Sequence, residues 1–360
     1  MQLKLDKTKT YAIALEGGGA KGGYEIGVWQ ALDEEGIRFN AVSGTSVGAL
    51  NGALYAMGDL DKAESVWSSM ELSKVIAFPN DNIDDLHRIV SGDFELKDLK
   101  DLAPEMLGIV RNKGLDVAPL RKWVREVVEP QAVRESKVDL YVTAIDLTEK
   151  KRIAPKINDM DDETMWDMLL ASSYHPTFKL EKLGGKFYAD GGFVDSLPIT
   201  PLLDAGYKNI IAVRLPSNGH QKYIHPAEDV RIHYVKTADD LGSVLNFDSE
   251  QACRDMKIGY YDCKRMLFGL SGKKYYFERL MTQRDAMNYL VDYYFLKDRG
   301  VTTLREIAER RIPAEALAMG QLSGDYYELL TALAEYRAVR KGMERFKIYT
   351  DREFFDEALK

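Results

Sequence analysis

The chain has 360 residues, 45% hydrophobic and 29% charged, with 28 glycines and 11 prolines. This ordinary globular composition excludes a disordered, fibrous or collagen-like protein, and at about 150 residues per domain the length predicts two domains, one larger than the other. Lys and Arg number 49 against 57 Asp and Glu, a net charge of −8, so no broad basic surface and no nucleic-acid partner are expected.

The opening MQLKLDKTKTYAIALEGG alternates charges and lacks the apolar stretch of a secretory signal. The longest charge-free window, Phe39–Gly58, is rich in small residues and holds Asn40 and Asn51, which suits a packed interior better than lipid. Cys253 and Cys263 match neither a zinc site nor a redox pair and read as idle thiols, so a cytoplasmic protein is expected.

In chain order, YAIAL (11–15) reads as a buried strand running into Gly17, Gly18 and Gly19. Gly22–Glu35 has helical spacing, with Gly36 as its stop. A second strand at Asn40–Ser43 and a second helix at Val47–Met57 follow. Strand, helix, strand, helix predicts a parallel sheet with right-handed crossovers. Residues 60–135 read as mostly helical, and 72–78 and 102–110 as buried helix faces rather than a cover over a site. Strands return at Val138–Ile145, Lys186–Ala189 and Asn209–Leu215, with a helix at Leu197–Ala205, a loop over 216–229 and a last strand at Ile232–Val235. Beyond about residue 240 the pattern is helical; Ala252, Met256, Tyr260, Cys263 and Leu267 share one face, and Leu329, Leu333, Tyr336 and Met343 another.

Gly44-Thr45-Ser46-Val47-Gly48 is a G-x-S-x-G pentapeptide between a predicted strand and a predicted helix. That context forces Ser46 into a strained turn and presents its hydroxyl at the carboxyl end of the sheet. The competing reading is a serine that merely caps the helix. The run Gly17-Gly18-Gly19-Ala20-Lys21-Gly22 weighs against it: a serine attacking an acyl carbonyl needs backbone N–H groups for the oxyanion, and bare glycines expose them. The amide of Val47 is a further donor. Gly17, Gly19 and Gly22 also fit G-x-G-x-x-G, but the second strand ends in Ser43-Gly44-Thr45-Ser46 without the carboxylate that a dinucleotide ribose requires, so a nucleotide-binding oxidoreductase is the minority reading.

For the base, His87, His175, His220, His225 and His233 are available, and His220 and His225 occupy a loop where a triad histidine could lie. Asp190-Gly191-Gly192 is the stronger candidate, an aspartate closing a strand before a sharp turn; burial would raise its pKa into a working range. Asp190 also reads as a plain turn residue, and Asp146 and Asp195 have similar local character, so spacing does not choose among the three.

Together GGGAKG (17–22), GTSVG (44–48) and DGG (190–192), with LLASSYHPTF (169–178) before DGGFVDSLP (190–198), resemble the patatin-like phospholipases. The resemblance covers roughly residues 10–240. It implies a three-layer α/β/α fold with a mostly parallel central sheet over residues 8–240, followed by a helical extension over 241–360. It further implies a Ser–Asp dyad acting on lipid acyl esters, with Ser46 as nucleophile, Asp190 as base and Gly17–Gly22 as the oxyanion motif. Gly44, Gly48, Gly191 and Gly192 match the motif glycines. Lys21 stands where many members have Arg, Ser196 where an Asn is frequent, and His175 where a small or apolar residue is usual. No metal or organic cofactor is implied. The expected partner is a lipid or acyl-ester substrate, and the acidic balance makes any transient membrane contact local and apolar. A catalytically silent lipid-binding protein would keep the same fold.

Overall fold

The run YAIAL lies in β1 (Thr10–Leu15), followed by α1 (Gly23–Glu34), β2 (Arg38–Thr45) and α2 (Val47–Met57). Gly36, at φ +64°, ends α1 as its position suggested. The computed structural model describes residues 1–76, 114–217, 219–297, 303–320 and 325–360, which divide into two units. One is Leu5–Cys263; the other joins Met1–Lys4 to Lys264–Lys360. The expected helix face at 102–110, with 77 and 78, lies outside the described residues, whereas Leu72, Val75 and Ile76 are buried.

The first unit is built on a seven-stranded sheet. With β3 (Asp139–Asp146), β4 (Lys151–Ile153), β5 (Tyr188–Asp190), β6 (Asn209–Arg214) and β7 (Arg231–Lys236), the order is β4-β3-β2-β1-β6-β7, and β5 also pairs with β3. Strands β3, β2, β1, β6 and β7 run parallel; β4 and β5 are antiparallel to β3. The period of two sorts the side chains. Ala12, Ala14, Ala41, Ile210 and Ala212 pack with Leu197, Ile199 and Leu202 on one face. Tyr11, Ile13, Leu15, Val42, Ile211 and Val213, next to them in the strands, are equally buried and face the other way. Both faces are therefore covered, as a parallel sheet requires. The helices α2 and Asp162–Ser172 cover one side and the short Thr200–Asp204 helix the other, giving three layers. That last helix is shorter than the expected Leu197–Ala205, because it begins only where Pro201 can occupy its first turn.

In the helix Ser249–Phe268, Ala252, Met256, Cys263 and Leu267 are buried as the spacing predicted, with Tyr260 half-buried; Cys253 is half-buried. The second unit is mainly helical, as expected, with one small sheet added. It contains β8 (Tyr276–Glu278) paired in parallel with β9 (Ile348–Thr350), strands too short to show alternation. Its core holds Tyr275, Phe277, Leu290, Leu330, Phe354 and Phe355. Of the face expected at 329–343, Leu329 and Leu333 are buried but Tyr336 is exposed, and the helix Tyr326–Lys341 stops before Met343. The buried row includes Leu330, Ala334 and Ala338, the i, i+4 ridge one step away. Among the described residues no helix is long and apolar enough to cross a membrane.

Candidate active site

At the end of β2 the chain turns into α2 through Ser46, at φ +55° and ψ −125°, a conformation rarely held by a residue with a β-carbon. The turn is tight enough that a β-carbon on Gly44 would lie 2.1 Å from the Gly48 carbonyl oxygen. Ser46 occupies the cap position of α2, yet its side chain makes no capping bond, so the helix does not employ the hydroxyl. Its N–H donates to Ser172 Oγ at 2.9 Å, and Ser172 Oγ donates to the Thr143 carbonyl at 2.6 Å. Ser172 thus ties the strained turn to β3, a role not evident from the sequence.

The β3 ladder brings Asp190 to the same place. Thr143 pairs with Thr45 of β2, and the next residue, Ala144, pairs with Asp190 of β5. Chain 155–157 runs along β3 on the edge occupied by β4, with Val142 N–H donating to Pro155 and Ile157 N–H to Leu140. β5 must therefore share the edge used by β2, and it continues where β2 ends. The Asp190 carboxyl is buried, at 8% exposure, and burial pushes it up to about 6; the Gly192 N–H and the Ser46 hydroxyl both hydrogen-bond to it and pull the other way. Gly192 N–H reaches Oδ1 at 2.7 Å, so Asp190 does form a turn of the Asx kind as well as facing Ser46.

The rival carboxylates are engaged with cations. Asp195 pairs with Arg152 at 2.6 Å and Asp146 with Lys186 at 3.0 Å. Of the histidines, His175 is half-buried, bonded through Nδ1 to Thr177 Oγ1 at 2.9 Å, and held below its usual pKa by desolvation. His220 and His225 are exposed, and His233 lies edge-on to Tyr11. Among the described residues no histidine hydrogen-bonds to Ser46 or Asp190; His87 lies outside them.

The glycine turn abuts Ser46: a β-carbon on Gly17 would lie 3.3 Å from Ser46 Cβ. Gly17 N–H donates to Ser196 O at 2.9 Å, Ala20 N–H to Val244 O at 2.8 Å and Lys21 N–H to Gly18 O at 3.4 Å. The amides of Gly18, Gly19 and Val47 have no such partner among the described residues. Lys21 is itself buried and donates through Nζ to Pro216 O at 2.5 Å.

Glu16, which lies just outside the glycine motif, underpins this turn. Fully buried, it accepts from Leu215 N–H at 2.8 Å, Ser217 Oγ at 3.0 Å and Gln221 Nε2 at 3.2 Å, while desolvation raises its pKa. Ser196 Oγ lies 3.3 Å from the same carboxylate. Glu25, in the first turn of α1, is likewise buried and raised well above the usual range by desolvation, with Asn51 donating to it at 2.7 Å. A carboxylate directly before a glycine turn was the available signal for Glu16. Among the described residues no cluster of His, Cys, Asp and Glu could hold a metal ion.

A family model for patatin-like phospholipases matches residues 13–203, a stretch that holds Ser46, Asp190 and the glycine turn. The chain belongs to the patatin-like phospholipase family. An uncharacterized NTE family protein of Mycobacterium tuberculosis is 28% identical over 219 residues, 61% of this chain and 51% of its own. The human patatin-like phospholipase domain-containing protein 6 is 26% identical over 212 residues, 58% of this chain and 13% of that protein. A lysophospholipase of Aspergillus terreus is 50% identical over 48 residues, 13% of this chain and 3% of its own. The chain thus spans about half the length of the mycobacterial relative. Among solved structures, VipD from Legionella pneumophila aligns with a TM-score of 0.46 at 18% identity, covering 93% of this chain and 81% of that one.

Proposed function

We propose that this patatin-like protein hydrolyses carboxylic esters of lipids through an acyl-enzyme on Ser46, with Asp190 as its base. The observation that carries this reading is the pairing of a strained, uncapped serine with a buried carboxylate whose pKa lies near 6. At neutral pH that carboxylate is about nine-tenths ionised yet far more basic than an ordinary aspartate. In the first half-reaction Ser46 Oγ attacks the acyl carbon and its proton passes to Asp190. The carbonyl oxygen becomes an oxyanion held by the amides of Gly18, Gly19 and Val47. Collapse breaks the ester bond, and Asp190 returns the proton to the departing alcohol. Water then repeats the sequence, with Asp190 taking its proton and Ser46 recovering one as the fatty acid leaves.

Family membership and the name of the fungal relative, a lysophospholipase, support a lysophospholipid as the first substrate to try, beside diacyl phospholipids, neutral glycerides and thioesters. The test is labelling by a fluorophosphonate followed by peptide mapping, with ester hydrolysis by wild type, Ser46→Ala and Asp190→Asn. Labelling confined to Ser46 and loss of turnover in both variants are expected. Hydrolysis that persists in Ser46→Ala would remove the mechanism, and a wild type that neither labels nor turns over any ester would leave a lipid-binding protein.

A further inference from the structure

The turn Gly17–Gly22 is held by chain from well beyond the residues that match the family. Ala20 N–H donates to the Val244 carbonyl at 2.8 Å. That same oxygen closes on Gly19, which sits at φ +58° and whose β-carbon, were there one, would lie 2.2 Å from it. Leu241, three residues earlier, is buried and anchors this stretch of chain. The Lys21 ammonium, pushed down by desolvation, is supported by the negative charges of Asp240, Asp255 and Glu16. Asp255 lies in the helix Ser249–Phe268, fully buried, with Oδ1 accepting from Gln251 Nε2 at 2.7 Å and Oδ2 without a hydrogen-bond partner among the described residues. The helix cannot slide to relax this arrangement, because a β-carbon on Gly27 of α1 would lie 1.8 Å from the Met256 carbonyl oxygen.

A buried helix carboxylate could be a mere packing element bonded to Gln251. The side chain at hand suits that role poorly. Burial pushes Asp255 up to about 7 against the pull of Gln251, Arg254 and Lys21, with Asp239 adding to the rise, so ionising it is unfavourable unless something draws on the charge. Arg254, half-exposed, lies 3.6 Å from Oδ1, and Lys21 is the buried cation whose attraction adds to it.

We propose that residues 240–255 form a strap that positions the oxyanion turn, the Val244 carbonyl holding Gly19 and Ala20 directly and Asp255 acting through Lys21. The strap leaves the Gly18 and Gly19 amides as the donors not otherwise spent. Asp255 is a positioning residue, remote from the reacting atoms, and the proposal rests on the ester-hydrolase reading given above.

The experiment uses the full chain, Asp255→Asn and Leu241→Ala, with p-nitrophenyl butyrate as the probe at about pH 8, where Asp255 is ionised. Losing one oxyanion donor outright costs about a hundredfold or more in kcat, so a misaligned turn is expected to cost about tenfold with KM nearly unchanged. Asp255→Asn is near-isosteric and removes a buried charge, so its Tm is expected to hold or rise. Backbone hydrogen exchange in peptides covering 16–24 is expected to quicken in both variants. A wild-type kcat and unchanged exchange over 16–24 in Asp255→Asn would overturn the strap, as would a kcat loss matched by loss of folded protein. If the wild type hydrolyses no ester, the ester-hydrolase reading fails instead, and exchange over 16–24 still decides whether the strap holds the turn.

Discussion

Replacing Asp190 by Asn tests the environment of the proposed base independently of its chemistry. The carboxyl goes from 3.8 when free to about 6 when folded, because burial outweighs the hydrogen bonds from Gly192 and Ser46. Folding thus raises its proton affinity roughly a hundredfold, worth about 3 kcal/mol. The sign follows from which form is penalised. Below about pH 4 the group is protonated in both states and folding carries no penalty. Between there and about pH 6 the unfolded chain ionises first, and above that the native protein carries the full penalty. Asn keeps the size and an oxygen for the Gly192 N–H but cannot ionise. Asp190→Asn is therefore expected to be more stable than wild type by up to about 3 kcal/mol at pH 8, with the difference vanishing near pH 4, while kcat falls by about a hundredfold or more. Urea unfolding of both proteins across this range measures it. A variant less stable than wild type at pH 8, or a difference independent of pH, would show that Asp190 is not the desolvated carboxylate argued for.

A base that works ionised gives kcat/KM a rise with pH through an apparent pKa of about 6, flat above it, and Tyr or Lys control would appear instead as a rise above about pH 9. Ser172→Ala removes the acceptor for the Ser46 N–H and is expected to lower kcat about tenfold and stability by about 1–3 kcal/mol; wild-type values in both would refute the tie to β3. Arg152→Ala leaves the buried Asp195 without its cation and is expected to cost about 3 kcal/mol in urea unfolding, partly restored by adding Asp195→Asn. Replacing His175, His220 or His225 by Ala is expected to leave kcat within about threefold; a hundredfold loss in any of them would restore a histidine base.

The strained turn at Ser46 was legible because its demands are local: G-x-S-x-G between a strand and a helix specifies the backbone, and φ +55° at Ser46 follows. The parallel sheet was legible because β1 and β6 hold apolar runs and because strand and helix alternate from β1 to α2. Telling the three carboxylates apart was not a local matter. Asp146, Asp190 and Asp195 each follow or close a strand, and what separates them is Lys186 on the first and Arg152 on the last, partners about forty positions away. Ser172 and Glu16 escaped for the same reason, since their partners come from β3 and from the loop after β6. In the second unit, β8 and β9 have three residues apiece, and parallel pairing across some seventy residues leaves no mark on either segment. The aromatics there do mark a core, but the ridge that faces inward is set by the neighbouring helices, which is how Tyr336 came to be misplaced.

Because Thr45 and Asp190 pair with consecutive residues of β3, the separation of Ser46 and Asp190 follows from one peptide step of a hydrogen-bonded strand. The chain that joins β3 to β5 adds two fastenings, Ser172 Oγ on the Ser46 N–H and the Tyr174 carbonyl on the Asp190 N–H. Between Tyr174 and β5 it could be lengthened or cut at the exposed Gly184-Gly185 turn without touching either fastening, provided β5 still finds its edge. A site held this way keeps its register through changes at the tip of the loop between its two halves.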